Sequence, residues 1–225
     1  MSRISIPPSN RCVSVESLSS IDDMEKRERW ALLAEDGDVR PDPVSTLIVP
    51  GWRDSPDGHW QSLWAQRLPG AVRVQQQDWQ QPRKEPWVAA VVQAIESAPH
   101  PVVVAAHSLG CIAAVHAARQ VIERIAGMLL VAPADPERRA LFCDFTPVPA
   151  EVLPFPSIVA ASSNDPFCPI RTAGAYAKSW GSTFVRVPDA GHINVDSGHG
   201  EWPLGWALLD MLLRTAQPSR KAAVV

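Results

Sequence analysis

A doubly wound α/β fold, with about six mostly parallel strands, helices on both faces and a minimal cap, is what this sequence predicts. Three observations predict it. After Pro43, short runs rich in Val, Ile and Leu alternate with helical patterns. Runs of that kind belong to strands covered on both faces, and strands that alternate with helices need the crossover connections of a parallel sheet. Apolar residues make up 46% of the 225, enough to fill the core of one such domain.

The strands are expected at Ser45–Val49, Val72–Gln75, Val102–Ala106, Gly127–Ala132, Ser157–Ala161 and Thr183–Val187. Between and after them, helices are expected at His59–Arg67, Pro86–Ser97, Leu109–Glu123, Ile170–Trp180 and Leu204–Thr215. Residues 133–156 (PADPERRALFCDFTPVPAEVLPFP) break this rhythm. They are proline-rich and are expected as a short cap on the carboxyl edge of the sheet. Residues 1–43 are rich in Ser, Pro and charge and read as an extension with one short helix at Asp22–Ala34. The domain is expected to cover 44–217, with a tail at 218–225.

Composition narrows the functional classes. A net charge of −3 and a pI of about 6.1 give no electrostatic case for nucleic acid or an anionic membrane. No apolar run approaches the roughly 20 residues that span a bilayer, and the first residues carry no apolar signal core. Cys12, Cys111, Cys143 and Cys168 are scattered without CxxC or CxxH spacing. No zinc or disulfide framework is expected, and a cytoplasmic location fits.

The stretch PVVVAAHSLGCIAAVHAA (101–118) runs from a β-branched segment into a small-residue helix, with Ser108 at the joint. In open α/β sheets, sites form at the carboxyl ends of the strands. A strand-to-helix elbow holds its central residue in strained geometry and lifts the side chain. Small residues two before and two after allow the close approach. Gly110 fits the G-x-S-x-G form, and Ala106 stands where that form has glycine. A helix N-cap is the alternative role for Ser108.

A serine nucleophile needs a base, and the base needs an orienting acid. In this architecture the order is Ser, acid, His. Asp165 follows the fifth strand and His192 the sixth, so all three converge on one edge. Asp135, one strand earlier, and Asp189 are rival acids, and His199 is a rival base. The developing oxyanion needs donors. The backbone N–H of Leu109 and that of Trp52, in the Pro50–Ser55 loop after the first strand, are the candidates. Gly51 permits close backbone approach there. Gly51, Trp60 and Phe142 are candidates to line the substrate site, with Phe145, Leu153 and Phe155 as further apolar cap residues.

The stretches PGWRDSPDGHWQSLW (50–64), DWQQPRKEPW (78–87), AHSLG (106–110), Asn164-Asp165-Pro166 and GHINVDSGHGEWPLG (191–205) together resemble a known group. These are the small serine hydrolases of the α/β-hydrolase fold, which include YdeN-type and retinoblastoma-binding-protein-type members. The resemblance covers about residues 45–213. It implies a compact, lid-poor hydrolase with a Ser108-Asp165-His192 triad and no cofactor. It does not imply the retinoblastoma partner, because no Leu-x-Cys-x-Glu motif is present. The expected activity is hydrolysis of a small-molecule carboxylic ester or related acyl bond through an acyl-enzyme. Acyl transfer or amide cleavage by the same triad, and a protein-binding module on this scaffold, are the alternatives. Activity is expected to fall on the acid side, near the histidine pKa of about 6.5 in model compounds.

Overall fold

The computed structural model describes residues 44–216. The helix expected at 22–34 and the tail at 218–225 lie outside the described residues. Six strands form one parallel sheet: β1 (Ser45–Val49), β2 (Val72–Arg73), β3 (Val102–His107), β4 (Ile125–Val131), β5 (Ser157–Ser162) and β6 (Thr183–Val187). Their spatial order is β2-β1-β3-β4-β5-β6, and every pairing is parallel. The chain steps outward from β1 to β2, then returns past β1 to β3. The direction of winding therefore reverses between β1 and β3, which opens a crevice at their carboxyl ends.

Among the described residues, five helices cover the sheet: α1 (Trp60–Arg67), α2 (Lys84–Ser97), α3 (Leu109–Ala118), α4 (Ile170–Trp180) and α5 (Pro203–Ala216). Strand residues alternate between two cores, as the two-residue period requires. Leu47, Val49, Val102, Val104, Ala106, Met128 and Leu130 pack under α2, α3 and α4. Ile48, Val103, Ala105, Leu129 and Val131 pack under α1 and α5. The helix α3 is buried almost all round, so its small residues reflect a helix wedged between sheet and neighbours rather than an amphipathic surface helix.

The expected elements recur with shifted ends. The helix expected to run to Glu123 stops at Ala118. Val121 takes φ −136° and ψ 36°, and a separate 3-10 turn follows at Ile122–Arg124. His59 caps α1 rather than opening it, its Nδ1 accepting from the Gln61 N–H at 3.1 Å. The predicted cap contains two short 3-10 segments, Pro136–Arg138 and Ala140–Phe145.

Two packing features position the crevice. Gly110, on the first turn of α3, lies against the end of β1. A Cβ there would be 2.4 Å from the Pro50 carbonyl oxygen and 2.5 Å from that of Val49. On the other face, Trp60, Trp64 and Trp202 pack with ring centroids 4.5–6.2 Å apart. His107 lies edge-on to Trp60 at 5.9 Å and to His59 at 4.8 Å. Burial holds the His107 pKa well below the ordinary histidine value, with His192 and His59 as lesser causes. Burial, then the nearby His192, Arg73 and His199, pushes that of His59 down to about 3.

Both features give testable expectations. Gly110→Ala gains about 1 kcal/mol of helix propensity. The collision with rigid backbone costs more, about 1–3 kcal/mol, so a lower urea midpoint is expected. His59 and His107 are neutral when folded and titrate near 6.5 when unfolded. The unfolded state therefore binds more protons as pH falls below 6.5, down to about 3 for His59. Stability is full above pH 6.5 and falls below it, by up to about 1.4 kcal/mol per pH unit for each histidine. Urea midpoints measured between pH 7.5 and 5 should show this fall. His59→Asn, which keeps a capping side chain, should make it shallower.

Candidate active site

Ser108 sits between β3 and α3 at φ 56° and ψ −125°, a region that L residues rarely occupy. The strain is held by neighbours on both sides. The Ser108 N–H donates to the Val131 carbonyl at 3.0 Å. Its carbonyl accepts from Cys111 at 3.0 Å and Ala134 at 3.2 Å. No helix-capping bond forms from its hydroxyl, so the N-cap role does not describe it. The Oγ instead lies 2.9 Å from His192 Nε2.

His192 Nδ1 lies 2.9 Å from Asp165 Oδ2 and 3.0 Å from Oδ1. The Asp165 side chain is 2% exposed, and its Oδ1 also accepts from the Phe167 N–H at 2.8 Å. The ring of Phe167 lies 4.4 Å from that of His192 and closes its flank. The rivals are engaged elsewhere. Asp135 caps its own 3-10 turn through the Glu137 N–H, Asp189 accepts from Ser163 Oγ, and His199 meets Ser197 Oγ.

Residues not singled out from sequence hold the two loops together. Ser162 Oγ donates to Asn164 Oδ1 and accepts from the Ala190 N–H. Asn164 Oδ1 accepts from the Gly191 N–H at 2.7 Å, and Ser163 exchanges two bonds with Asp189. The loop carrying Asp165 thereby fixes the loop carrying His192. The available signal was the density of short polar side chains in Ser162-Ser163-Asn164 at a strand end, where they bond backbone groups. From behind, His107 Nε2 lies 2.9 Å from the His192 carbonyl and donates to it.

The Pro50–Ser55 loop passes directly over Ser108. A Cβ on Gly51 would lie 2.7 Å from Ser108 Cβ and 3.3 Å from its Oγ. Among the described residues, no acceptor takes the backbone N–H of Trp52 or of Leu109. Gln61 anchors this region: its amide nitrogen donates to the Val49 and Ala105 carbonyls and its amide oxygen accepts from Ser55 Oγ. Arg73 holds the far side through Asp54 Oδ1 at 2.5 Å and the Ser55 carbonyl at 2.8 Å.

A cavity of about 270 Å³ opens on Ser108 and His192, lined also by Trp52, Arg53, His59, Phe142 and Phe167. Phe142 thus lines the site, edge-on to Trp52 at 5.6 Å. Trp60 does not. It is fully buried, its Nε1 donates to the Ile193 carbonyl at 3.0 Å, and its ring belongs to the tryptophan stack beneath. The expectation fails because α1 turns position 60 toward the sheet. Phe145 is likewise buried, against Trp87. Leu153 and Phe155 pack on the core. No helix among the described residues is long and apolar enough to cross a membrane.

Comparison with known proteins gives the family. The sequence model of a family described as serine hydrolases matches residues 46–211. No curated protein matches the chain. Among solved structures, a YdeN-like hydrolase from Pectobacterium atrosepticum is 35% identical with a TM-score of 0.74, covering 86% of this chain and all of its own. The ydeN product of B. subtilis is 22% identical with a TM-score of 0.65, over 76% of this chain and 100% of its own. Est1E from Butyrivibrio proteoclasticus, solved with ferulic acid, is 14% identical with a TM-score of 0.60, over 77% and 90%. The last two show the fold alone. The family match and the Pectobacterium relative together show that this chain belongs to the serine hydrolase family, on an α/β-hydrolase fold.

Proposed function

We propose that the protein hydrolyses carboxylic esters through Ser108, His192 and Asp165 by way of an acyl-enzyme. One observation carries this reading: the unbroken line from Ser108 Oγ through both ring nitrogens of His192 to Asp165, with each step at 2.9 Å. Asp165 accepts a hydrogen bond from the Nδ1–H, which leaves Nε2 free to accept from the serine.

His192 Nε2 takes the Ser108 proton as Oγ attacks the ester carbonyl carbon. The carbonyl oxygen becomes an oxyanion held by the N–H groups of Trp52 and Leu109, whose freedom from other acceptors supports that role. The tetrahedral species collapses, the alcohol leaves, and it takes the proton from Nε2. Water then gives its proton to the same nitrogen and attacks the acyl carbonyl. Ser108 leaves with that proton, and the acid is released. Asp165 stays ionised and stabilises the imidazolium that forms twice per cycle.

A fluorophosphonate probe tests the reading. Wild-type protein should gain one adduct by intact mass, and Ser108→Ala and His192→Ala should gain none. Folded wild-type protein that stays unlabelled would refute it. On a short-chain aryl ester, Asp165→Asn should lower kcat by about 10⁴-fold, the loss typical of removing the acid of such triads. Asp135→Asn should have no comparable effect, because its carboxylate is a local cap.

A further inference from the structure

We propose that the ester substrate carries an ionised carboxylate, bound at the mouth of the site by Arg53 and Arg139. The inference rests on the ester-hydrolase reading above and adds the charge of the substrate to it. Two guanidinium groups stand over one indole ring. That of Arg53 is 4.0 Å from the Trp52 ring centre and that of Arg139 is 4.7 Å from it. Arg139 also lies 5.6 Å from the ring centre of Phe142 and 5.3 Å from that of Phe167. Trp52, Phe142 and Phe167 all line the cavity over Ser108. Phe142 and Phe167 also wall an adjoining cleft of about 190 Å³, lined further by Asp135, Arg138 and Arg139.

Like charges gathered on one ring repel. Rings attract each guanidinium through its face, which leaves the in-plane N–H edges free for a planar acceptor. Among the described residues, no carboxylate lies within ion-pair distance of Arg53 or Arg139. Nearby carboxylates are otherwise placed. Asp54 pairs with Arg73, Asp165 with His192, and Asp135 caps its turn. Asp196 lines the cavity from the loop after His192. The Trp52 side of the mouth therefore gathers two guanidinium groups that no carboxylate pairs with directly, although Asp135 shares the cleft with Arg139 and Asp54 and Asp196 line the cavity beside Arg53.

The backbone at Arg53 points the same way. The Asp54 N–H closes a turn on the Gly51 carbonyl at 3.1 Å, and Arg53 occupies its third position with φ 69°. That position favours glycine. An arginine there carries strain, and among the described residues its guanidinium makes no hydrogen bond or ion pair, only the contact with the Trp52 ring.

The test compares p-nitrophenyl hexanoate with mono-p-nitrophenyl adipate, and phenyl hexanoate with 4-carboxyphenyl hexanoate. The pairs put the carboxylate on the acyl chain and on the leaving group, respectively. At low ionic strength, kcat/KM should favour the anionic member of at least one pair by about five- to tenfold, as expected for two partly exposed charge pairs. About 0.5 M salt should erase most of that ratio. Arg53→Gly, which also relieves the turn, and Arg139→Gln should each reduce it. A turnover-free arm titrates Ser108→Ala with the adipate monoester and with the hexanoate by calorimetry. Tighter binding of the monoester, weakened by either arginine substitution, is expected. Equal binding of both, or a ratio near one in both ester pairs, would overturn the inference while fluorophosphonate labelling left the hydrolase standing. Arginine-dependent binding without any labelling would do the reverse.

Discussion

The site depends on one strained residue. Ser108 is forced to positive φ because β3 must turn into α3 within a single position, and the turn survives only if its surroundings leave no relaxed alternative. Three backbone bonds to Val131, Cys111 and Ala134 fix it. The missing side chain at Gly110 lets α3 close on the carbonyls of Val49 and Pro50. The missing side chain at Gly51 lets the next loop cross within contact of the serine. Strain and close approach are thus one arrangement. The same compression that lifts the Ser108 hydroxyl brings the Gly51 backbone into contact with it, and among the described residues no acceptor takes the Leu109 N–H at the start of the helix.

Around that joint, the polar groups are divided by task. Asp165 and His192 belong to different loops, and rotamer freedom alone would let them drift. The Ser162–Asn164 bonds to Ala190 and Gly191 remove that freedom through the backbone. His107 and His59 are packed close by, and burial keeps them neutral. A permanent positive charge at either would oppose the imidazolium that the proposed mechanism forms on His192, whose ring lies 4.8 Å from that of His107. Neutral His107 can also donate to the His192 carbonyl and hold the loop from below. Three histidines therefore share one corner without three charges.

Much of this was legible in the sequence because its signals are local. Strand runs, the small-residue helix and the order of Ser108, Asp165 and His192 require only period, composition and chain direction. What was not legible depends on contacts between distant segments. Trp60 reads equally well as a site residue or a core residue until α1 is set against the sheet, which turns its ring toward Trp64 and Trp202. The break after Ala118 hides inside a continuous helical composition, because it is a local change of backbone direction that leaves helical geometry by Val121. The Asn164 latch joins positions 27 residues apart, and the pairing of Arg139 with Trp52 joins positions on opposite sides of the winding reversal. Neither leaves a spacing pattern that a single sequence could reveal.

The winding reversal also explains why the cap can be short. Between β1 and β3 the connections leave in opposite directions, so the sheet itself opens the crevice and no added domain is needed to form its walls. The segment at 133–156 then has a smaller task. It brings Phe142 edge-on to Trp52 and places Arg139 above both rings. One wall of the cavity thus comes from the first loop of the sheet and the facing wall from the cap, and Ser108 lies between them. A longer lid would close the cavity over the serine and exclude solvent from it. This one leaves an opening bordered by the exposed Arg53 and Arg139, while Ser108 and His192 stay buried beneath it.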